Sequence, residues 1–405
     1  MARADVNIGD IAAAAYNGAG TCYTIQTSTG VVYEVYVDFF SDVVYRKSSD
    51  GGFTFSDPIV VFAGTATSLS VTYDKWSGLA GGLIHCAYTE SATDDTLYRT
   101  IDTASSDALS TQTSIFAGTD TALGGAISIT RSRGGNVYCY TCIDAGAEGG
   151  FFKLLNANVP NGAWEAALTS PEALATQDQI ILVPGFAADN QDIMAIFWDA
   201  SANEISRYIY DDSANTWGET IFGAPDTFTD QVASTAFPHF AAAVDLTNSQ
   251  ILVVAWNAID TLNADLTCWT VTESAITAKT NVVTNSTDDQ GLCGITLDTT
   301  TGTWWVYYGG KSDGSETYPT AMNLYCNSST DSGATWGSET VLTTQIGDVH
   351  TITPIMRVLS AVTTPPPVAY FVNLQGTVEM IRINVDLPTA GGGGIAARLV
   401  GGSLV

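Results

Sequence analysis

Apolar positions in this chain recur in short alternating runs, and each of the longest closes on an aromatic followed by a polar or small residue. These runs are VYEVYVD, LIHCAYTE, NVYCYTC, IMAIFWD, LVVAWN, TWWVYYG and VAYFVN. Their aromatic anchors, Tyr36, Tyr88, Tyr140, Trp198, Trp256, Tyr308 and Phe371, follow one another at 52, 52, 58, 58, 52 and 63 residues. A shorter apolar run precedes each anchor run: CYTIQ, LSVTY, AISIT, IILVP, HFAAAV, LCGIT and TPIMRV. Third strands follow most anchors, as in DVVYRKS, TLYRTID and EISRYIY, and short fourth strands such as DPIVVFAGT and GETIFGA come next. Period-two alternation means strands, and no long run keeps the helical period. Four antiparallel strands repeated about every 50 residues predict β-propeller blades.

The pattern therefore predicts an all-β fold of seven four-stranded blades. The seventh repeat ends at VEMIRINVDLP without a fourth strand, while ADVNIG near the N-terminus alternates like the missing one. Residues 1–10 are accordingly expected to close the last blade, 11–388 to form the propeller, and 389–405 to be a glycine-rich tail. A closed ring hides the unpaired strand edges that invite aggregation.

Two eight-residue stretches share one pattern: SSDGGFTF at 48–55 and STDSGATW at 329–336. Both lie between the third and fourth strands of their repeats. Ser48, Asp50, Gly52, Thr54 and Phe55 match Ser329, Asp331, Gly333, Thr335 and Trp336. A degenerate copy, YDDSANTW at 210–217, keeps Asp212, Thr216 and Trp217. An Asp can accept hydrogen bonds from the N–H groups of its own turn, and Gly supplies backbone conformations other residues resist. The expected role is turn stabilisation, with the aromatic covering the turn.

These motifs resemble the Asp-box, or BNR, repeats of the sialidase-like β-propeller superfamily. In that family the boxes lie away from the active site, so the resemblance implies no catalytic role for Asp50 or Asp331. Its sialidases hold a substrate carboxylate with three arginines and use a Tyr/Glu pair with an acidic proton donor. This chain has nine arginines and lacks the family's N-terminal Arg-Ile-Pro. Arg46, Arg99 and Arg207 share one repeat position beside a Tyr and read as structural, leaving Arg131, Arg133 and Arg357 as candidate anion ligands. The chain is identified as a non-catalytic member, with no catalytic residues assigned.

Composition narrows the function further. Acidic residues number 42 against 14 basic ones, a net charge of −28. Such a surface repels phosphate backbones, which sets nucleic acid aside. No stretch is long enough to span a bilayer, and no membrane partner is expected. The N-terminus lacks an apolar signal core. The seven cysteines, including Cys139 and Cys142 on one alternating strand, read as buried thiols folded in a reducing compartment. His85, mid-strand, reads as a packed core residue. No metal site is assigned, since DNQD at 189–192 and KSDGSE at 311–316 are incomplete as calcium loops; calcium stays a weak candidate and no other cofactor is called.

Propellers bind ligands at the mouth built from loops entering each first strand and joining second to third strands. Those loops carry Asp120, Asp226, Asp230, His239, Asp288, Asp289, Asp348 and His350, with Tyr318 in the long connection 309–323. His239, Asp288, Asp289, Tyr318 and His350 are the candidate ligand-binding residues. After Pro388, four glycines tether an apolar peptide whose Ile395, Leu399, Val400, Leu404 and Val405 are candidate docking residues. The expected protein is a non-enzymatic adhesive or structural surface component, such as one of a tailed-phage virion. Its tail would dock other virion or surface-assembly proteins, and its mouth would take glycans. The alternatives are a sialidase-like glycoside hydrolase and a bacterial carbohydrate-binding propeller.

Overall fold

A computed structural model describes residues 6–10, 22–118, 127–144, 148–171, 179–199, 204–222, 240–258, 264–286, 293–309, 324–341, 352–355, 360, 362, 368–374 and 377–383. Among these residues the chain is an all-β β-propeller, its helical content limited to short 3-10 turns such as Asp74–Ser77.

The strands form seven antiparallel sheets. Their first strands are Cys22–Gln26, Ala66–Tyr73, Ser128–Arg131, Gln179–Pro184, Phe240–Asp245, Cys293–Asp298 and Ile352–Ile355. The second strands hold the aromatic anchors: Val32–Val37, Leu83–Glu90, Val137–Asp144, Ile193–Asp199, Gln250–Ala258, Thr303–Gly309 and Val368–Leu374. Each first strand packs beside the first strand of the next sheet, and Cys22–Gln26 packs beside Ile352–Ile355, returning the series to its start. In the last sheet Val6–Asp10 runs antiparallel to Thr377–Ile383, with Val6 opposite Arg382 and Asp10 opposite Glu379.

The anchors recur because the second strands of the first six sheets are buried on both faces. Tyr36, Tyr88, Tyr140, Trp198, Trp256 and Tyr308 are all buried. Alternating side chains then serve two inter-sheet cores at once. One core joins Tyr33, Tyr45 and Val35 of the first sheet to Leu69, Ile84 and Tyr88 of the second. Equivalent clusters lie between the second and third sheets, the third and fourth, the fourth and fifth, and the fifth and sixth. The apolar core is thus divided among sheet interfaces.

One strand escaped the sequence pattern. The third sheet's third strand is Glu148–Leu154, EGGFFKL, where the opening glycines break the alternation. Described Cys22, Cys86, Cys139, Cys268, Cys293 and Cys326 are buried thiols outside any disulfide, and burial raises the Cys86 thiol to about 12.

Candidate functional site

Antiparallel strands place the connections alternately at the two ends of the sheets. The links joining third to fourth strands lie at one end with those joining first to second. The inter-sheet links and the second-to-third connections lie at the other, the mouth.

At the first end, the two full turn motifs have closely similar geometry. Ser48 Oγ donates to Asp50 Oδ1 at 2.7 Å and accepts from Gly52 N at 2.6 Å. Asp50 Oδ1 also accepts from Phe53 N and Thr54 N at 2.9 and 3.0 Å, while Thr54 Oγ1 donates to Oδ2 at 2.7 Å. Ser329, Asp331, Gly333 and Thr335 repeat this: Ser329 Oγ to Asp331 Oδ1 2.7 Å, Gly333 N to Ser329 Oγ 2.8 Å, Thr335 N to Asp331 Oδ1 2.9 Å. Both carboxylates are exposed and the serines are buried, so the motif is a carboxylate staple over a buried hydroxyl. Hydrogen bonds from the Thr335 side chain, Thr335 N and Ser329 hold Asp331 at about 2, against a small effect of burial. Slight burial works against Asp50 as well, but its bonds from Thr54, Ser48 and Phe53 hold it well below the ordinary carboxylate range.

The motif also ties neighbouring sheets. Trp336 Nε1 donates to Thr280 O at 2.8 Å, and Thr280 Oγ1 donates to Ala334 O at 2.6 Å. Gly333 has φ +81°, and a Cβ there would lie 3.0 Å from Cys268 Sγ of the fifth sheet. Gly333→Ala should therefore cost about 1–2 kcal/mol from the left-handed backbone alone. A denaturant midpoint unchanged within error would show that the turn tolerates a side chain.

The degenerate copy needs a correction. Asp211, not Asp212, caps its turn: Asp211 Oδ1 accepts from Ser213 N and Ala214 N at 2.9 and 3.0 Å. Asp212 instead accepts from Tyr138 OH at 2.7 Å and Lys153 Nζ at 3.0 Å on the third sheet. Pairing there persists to Asp211 opposite Thr216, leaving a shorter loop whose acceptor must sit one residue earlier. Thr216 and Trp217 fall in the fourth strand, and Trp217 Nε1 donates to Thr169 O at 2.8 Å, as Trp336 does in its own turn.

A buried polar network joins the second and third sheets. His85 Nε2 lies 2.5 Å from Asp74 Oδ1, and His85 Nδ1 lies 2.6 Å from Tyr98 OH. The Asp74 carboxylate can only accept, so His85 Nε2–H donates to it. Arg131 Nη1 donates to Asp74 Oδ2 at 2.8 Å, Nη2 to Asn156 Oδ1 at 2.8 Å, and Nε to Gly135 O at 2.9 Å. Burial pushes Asp74 up, but His85 and then Arg131 outweigh it and hold the carboxyl at about 2. Asp74, His85 and Tyr98 have no exposure at all, so this Asp–His–Tyr line cannot touch a substrate and serves as an internal staple.

Arg99, Arg207, Arg46 and Arg133 are also committed. Arg99 donates to Ser110 O at 2.8 Å and to Val61 O of the first sheet at 2.6 Å. Arg207 donates to Thr272 O beyond the fifth sheet's third strand at 2.6 Å and to Thr220 Oγ1 at 2.7 Å. Arg46 Nε reaches Tyr36 OH at 3.1 Å, and Arg133 donates to Phe186 O. In the 189–192 stretch, Gln191 Oε1 accepts from Ser132 Oγ and Asn136 N, and Asp192 Oδ1 from Asp212 N. No group of three or more metal-ligating side chains occurs among the described residues.

The described arc of the mouth runs through 38–42, 63–66, 90–95 and 117–118. Asp42 Oδ1 accepts from Gly64 N at 2.9 Å, and Ala66 N donates to Ser41 O at 2.9 Å. Glu90 Oε1 accepts from Thr65 Oγ1 and Ala92 N, and Glu90 Oε2 from Thr93 N. Gly118 N donates to Asp94 O. On this arc stand Phe39 and Phe40, 62% and 76% exposed, a pair the sequence reading overlooked. Its signal was DFFSD, two adjacent aromatics past the end of an alternating strand. The mouth candidates His239, Asp288, Asp289, Tyr318 and His350, Arg357, the 311–316 stretch, and the tail's Ile395, Leu399, Val400, Leu404 and Val405 lie outside the described residues.

No protein-family model matches the chain, and no curated protein matches it in sequence. Among solved structures, a polysaccharide lyase of family PL25, an ulvan lyase, superposes with a TM-score of 0.54 at 10% identity over 93% of this chain and 94% of that one. Its complex with -[GlcA(1-4)Rha3S]- superposes at 0.53, again at 10% identity, over 94% of each chain. A leech intramolecular trans-sialidase overlaps more loosely, with a TM-score of 0.49 at 11% identity over 77% of this chain and 67% of that one. The structural neighbours thus include carbohydrate-active propellers, and at these identities the likeness establishes the fold.

Proposed function

We propose that this chain is a carbohydrate-binding β-propeller that serves as a non-enzymatic adhesive component of an assembled surface, such as a tailed-phage particle. The observation that carries the saccharide specificity is the commitment of Arg99, Arg131 and Arg207 to acceptors within the protein. An anionic sugar needs charge-assisted, bidentate recognition, and these guanidiniums hold sheets together instead. With a net charge of −28, the favoured ligand class is neutral saccharide. The whole-chain fold likeness to a polysaccharide lyase supports the glycan reading.

In this reading the seven sheets are seven blades of one ring, with Val6–Asp10 as the closing strand of the last. The tail beyond Pro388 would fasten the ring to its particle, leaving the mouth free for glycan. Purified protein should be retarded by a neutral polysaccharide in affinity electrophoresis, and should release no sugar from a sialylated substrate. New reducing ends or unsaturated products from any polysaccharide would replace the adhesin with an enzyme of the same fold.

A further inference from the structure

We propose that Phe39 and Phe40, with the carboxylates of Asp38 and Asp42, form a saccharide-stacking site on the rim of the mouth. The inference rests on the glycan-binding reading and deepens it by assigning residues. The two rings are 5.7 Å apart between centroids and nearly perpendicular, at 84°. They stand on a rigid turn. Asp38 Oδ1 accepts from Phe40 N and Asp42 N at 2.9 and 3.0 Å, and Ser41 N donates to Asp38 O at 2.9 Å. Ser41 takes a left-handed φ of +64° to close it. From outside, Asp42 Oδ1 and Ser41 O are pinned by the inter-sheet link at Gly64 and Ala66.

Nothing in that turn requires an aromatic. The backbone and two carboxylates hold its shape, and the rings stand largely in solvent. Exposed aromatics on a pre-formed loop are groups whose use comes with a partner. A sugar ring offers an apolar C–H face for one phenyl and hydroxyl donors at its edge for acceptors nearby. The Asp38 and Asp42 oxygens not engaged by the turn are such acceptors. Because both acceptors are anionic and the whole surface is acidic, a neutral sugar fits and an anionic sugar or anionic lipid does not.

The test uses the full chain, affinity electrophoresis with dextran, galactomannan and xyloglucan, and flotation with phosphatidylcholine vesicles. Phe39→Ala/Phe40→Ala should weaken binding of a retained polysaccharide at least tenfold. Phe39→Tyr/Phe40→Tyr, which keeps the rings, should largely restore it. Phe53→Ala, an exposed aromatic at the opposite end, should leave it unchanged. Polysaccharide binding that survives loss of both rings overturns the site while the glycan reading stands. Retention by none of these three polysaccharides removes the neutral-glycan reading itself and this site with it. Phe-dependent flotation without saccharide binding assigns the rings to a bilayer and overturns the proposal.

Discussion

Asp74→Ala should destabilise the protein by about 3–5 kcal/mol, the usual cost of removing one partner from a buried charge pair. The carboxylate carries His85 on one oxygen and Arg131 on the other, and also accepts from Leu83 N at 3.2 Å. Removing it leaves a guanidinium buried without its counter-charge and an imidazole N–H without an acceptor. The second and third sheets should loosen together, since Asp74 and Arg131 belong to different sheets. Equilibrium denaturation measures the loss, and a change under about 1 kcal/mol would show that water or a rearranged Arg131 replaces the carboxylate. Asp74→Asn separates the terms, because it keeps hydrogen-bonding groups while discarding the charge.

The same group gives a pH dependence with a definite sign. A carboxyl held at about 2 in the folded state titrates below the unfolded value of about 3.9. Its contribution is therefore complete above the unfolded value and is lost as pH falls through the folded one. Wild-type stability should drop over that acid window more steeply than that of Asp74→Asn. Parallel acid curves would mean that the pair does not couple protonation to folding.

The second large effect is expected at Arg207. Arg207→Met keeps much of the apolar stem but deletes donors to Thr272 O and Thr220 Oγ1. Charge-assisted hydrogen bonds contribute about 1.5–3 kcal/mol each, and at least that much should be lost because Arg207 is buried. The Thr272 bond crosses from the fourth sheet to the fifth, so the variant should also exchange amide protons faster along that seam than elsewhere. Saccharide retention should persist wherever the protein remains folded. A folded variant that loses saccharide binding would make Arg207 a ligand-holding residue and overturn its structural assignment.

Much of the architecture was legible because burial imposes a period on the chain. Second strands packed on both faces must be apolar or aromatic, and they come once per sheet, so the anchors from Tyr36 to Tyr308 mark that geometry directly. The glycine-opened strand Glu148–Leu154 hid itself by lacking the alternating side chains that betray a strand. The turn motifs were legible for a local reason, since Asp50 and Asp331 bond only to residues within four positions. The degenerate turn misled because its acceptor is chosen by strand register. Pairing that runs four residues further than in the full motifs accompanies the shift of the role from Asp212 to Asp211.

The sequence alone determined the strand class, the repeat, the turn chemistry of 48–55 and 329–336, and the acidity that disfavours anionic ligands. Each depends on composition or on residues near one another in the chain. Tertiary structure alone decided what the long-range polar groups do. Asp74, His85, Tyr98 and Arg131 are spread over four elements and two sheets, and Arg99 and Arg207 find acceptors on neighbouring sheets. It also decided that Phe39 and Phe40, more apolar than the buried Tyr33 and Tyr36, stand in solvent. Local pattern reports which side chains can be buried; the closing of one sheet against the next settles which of them are.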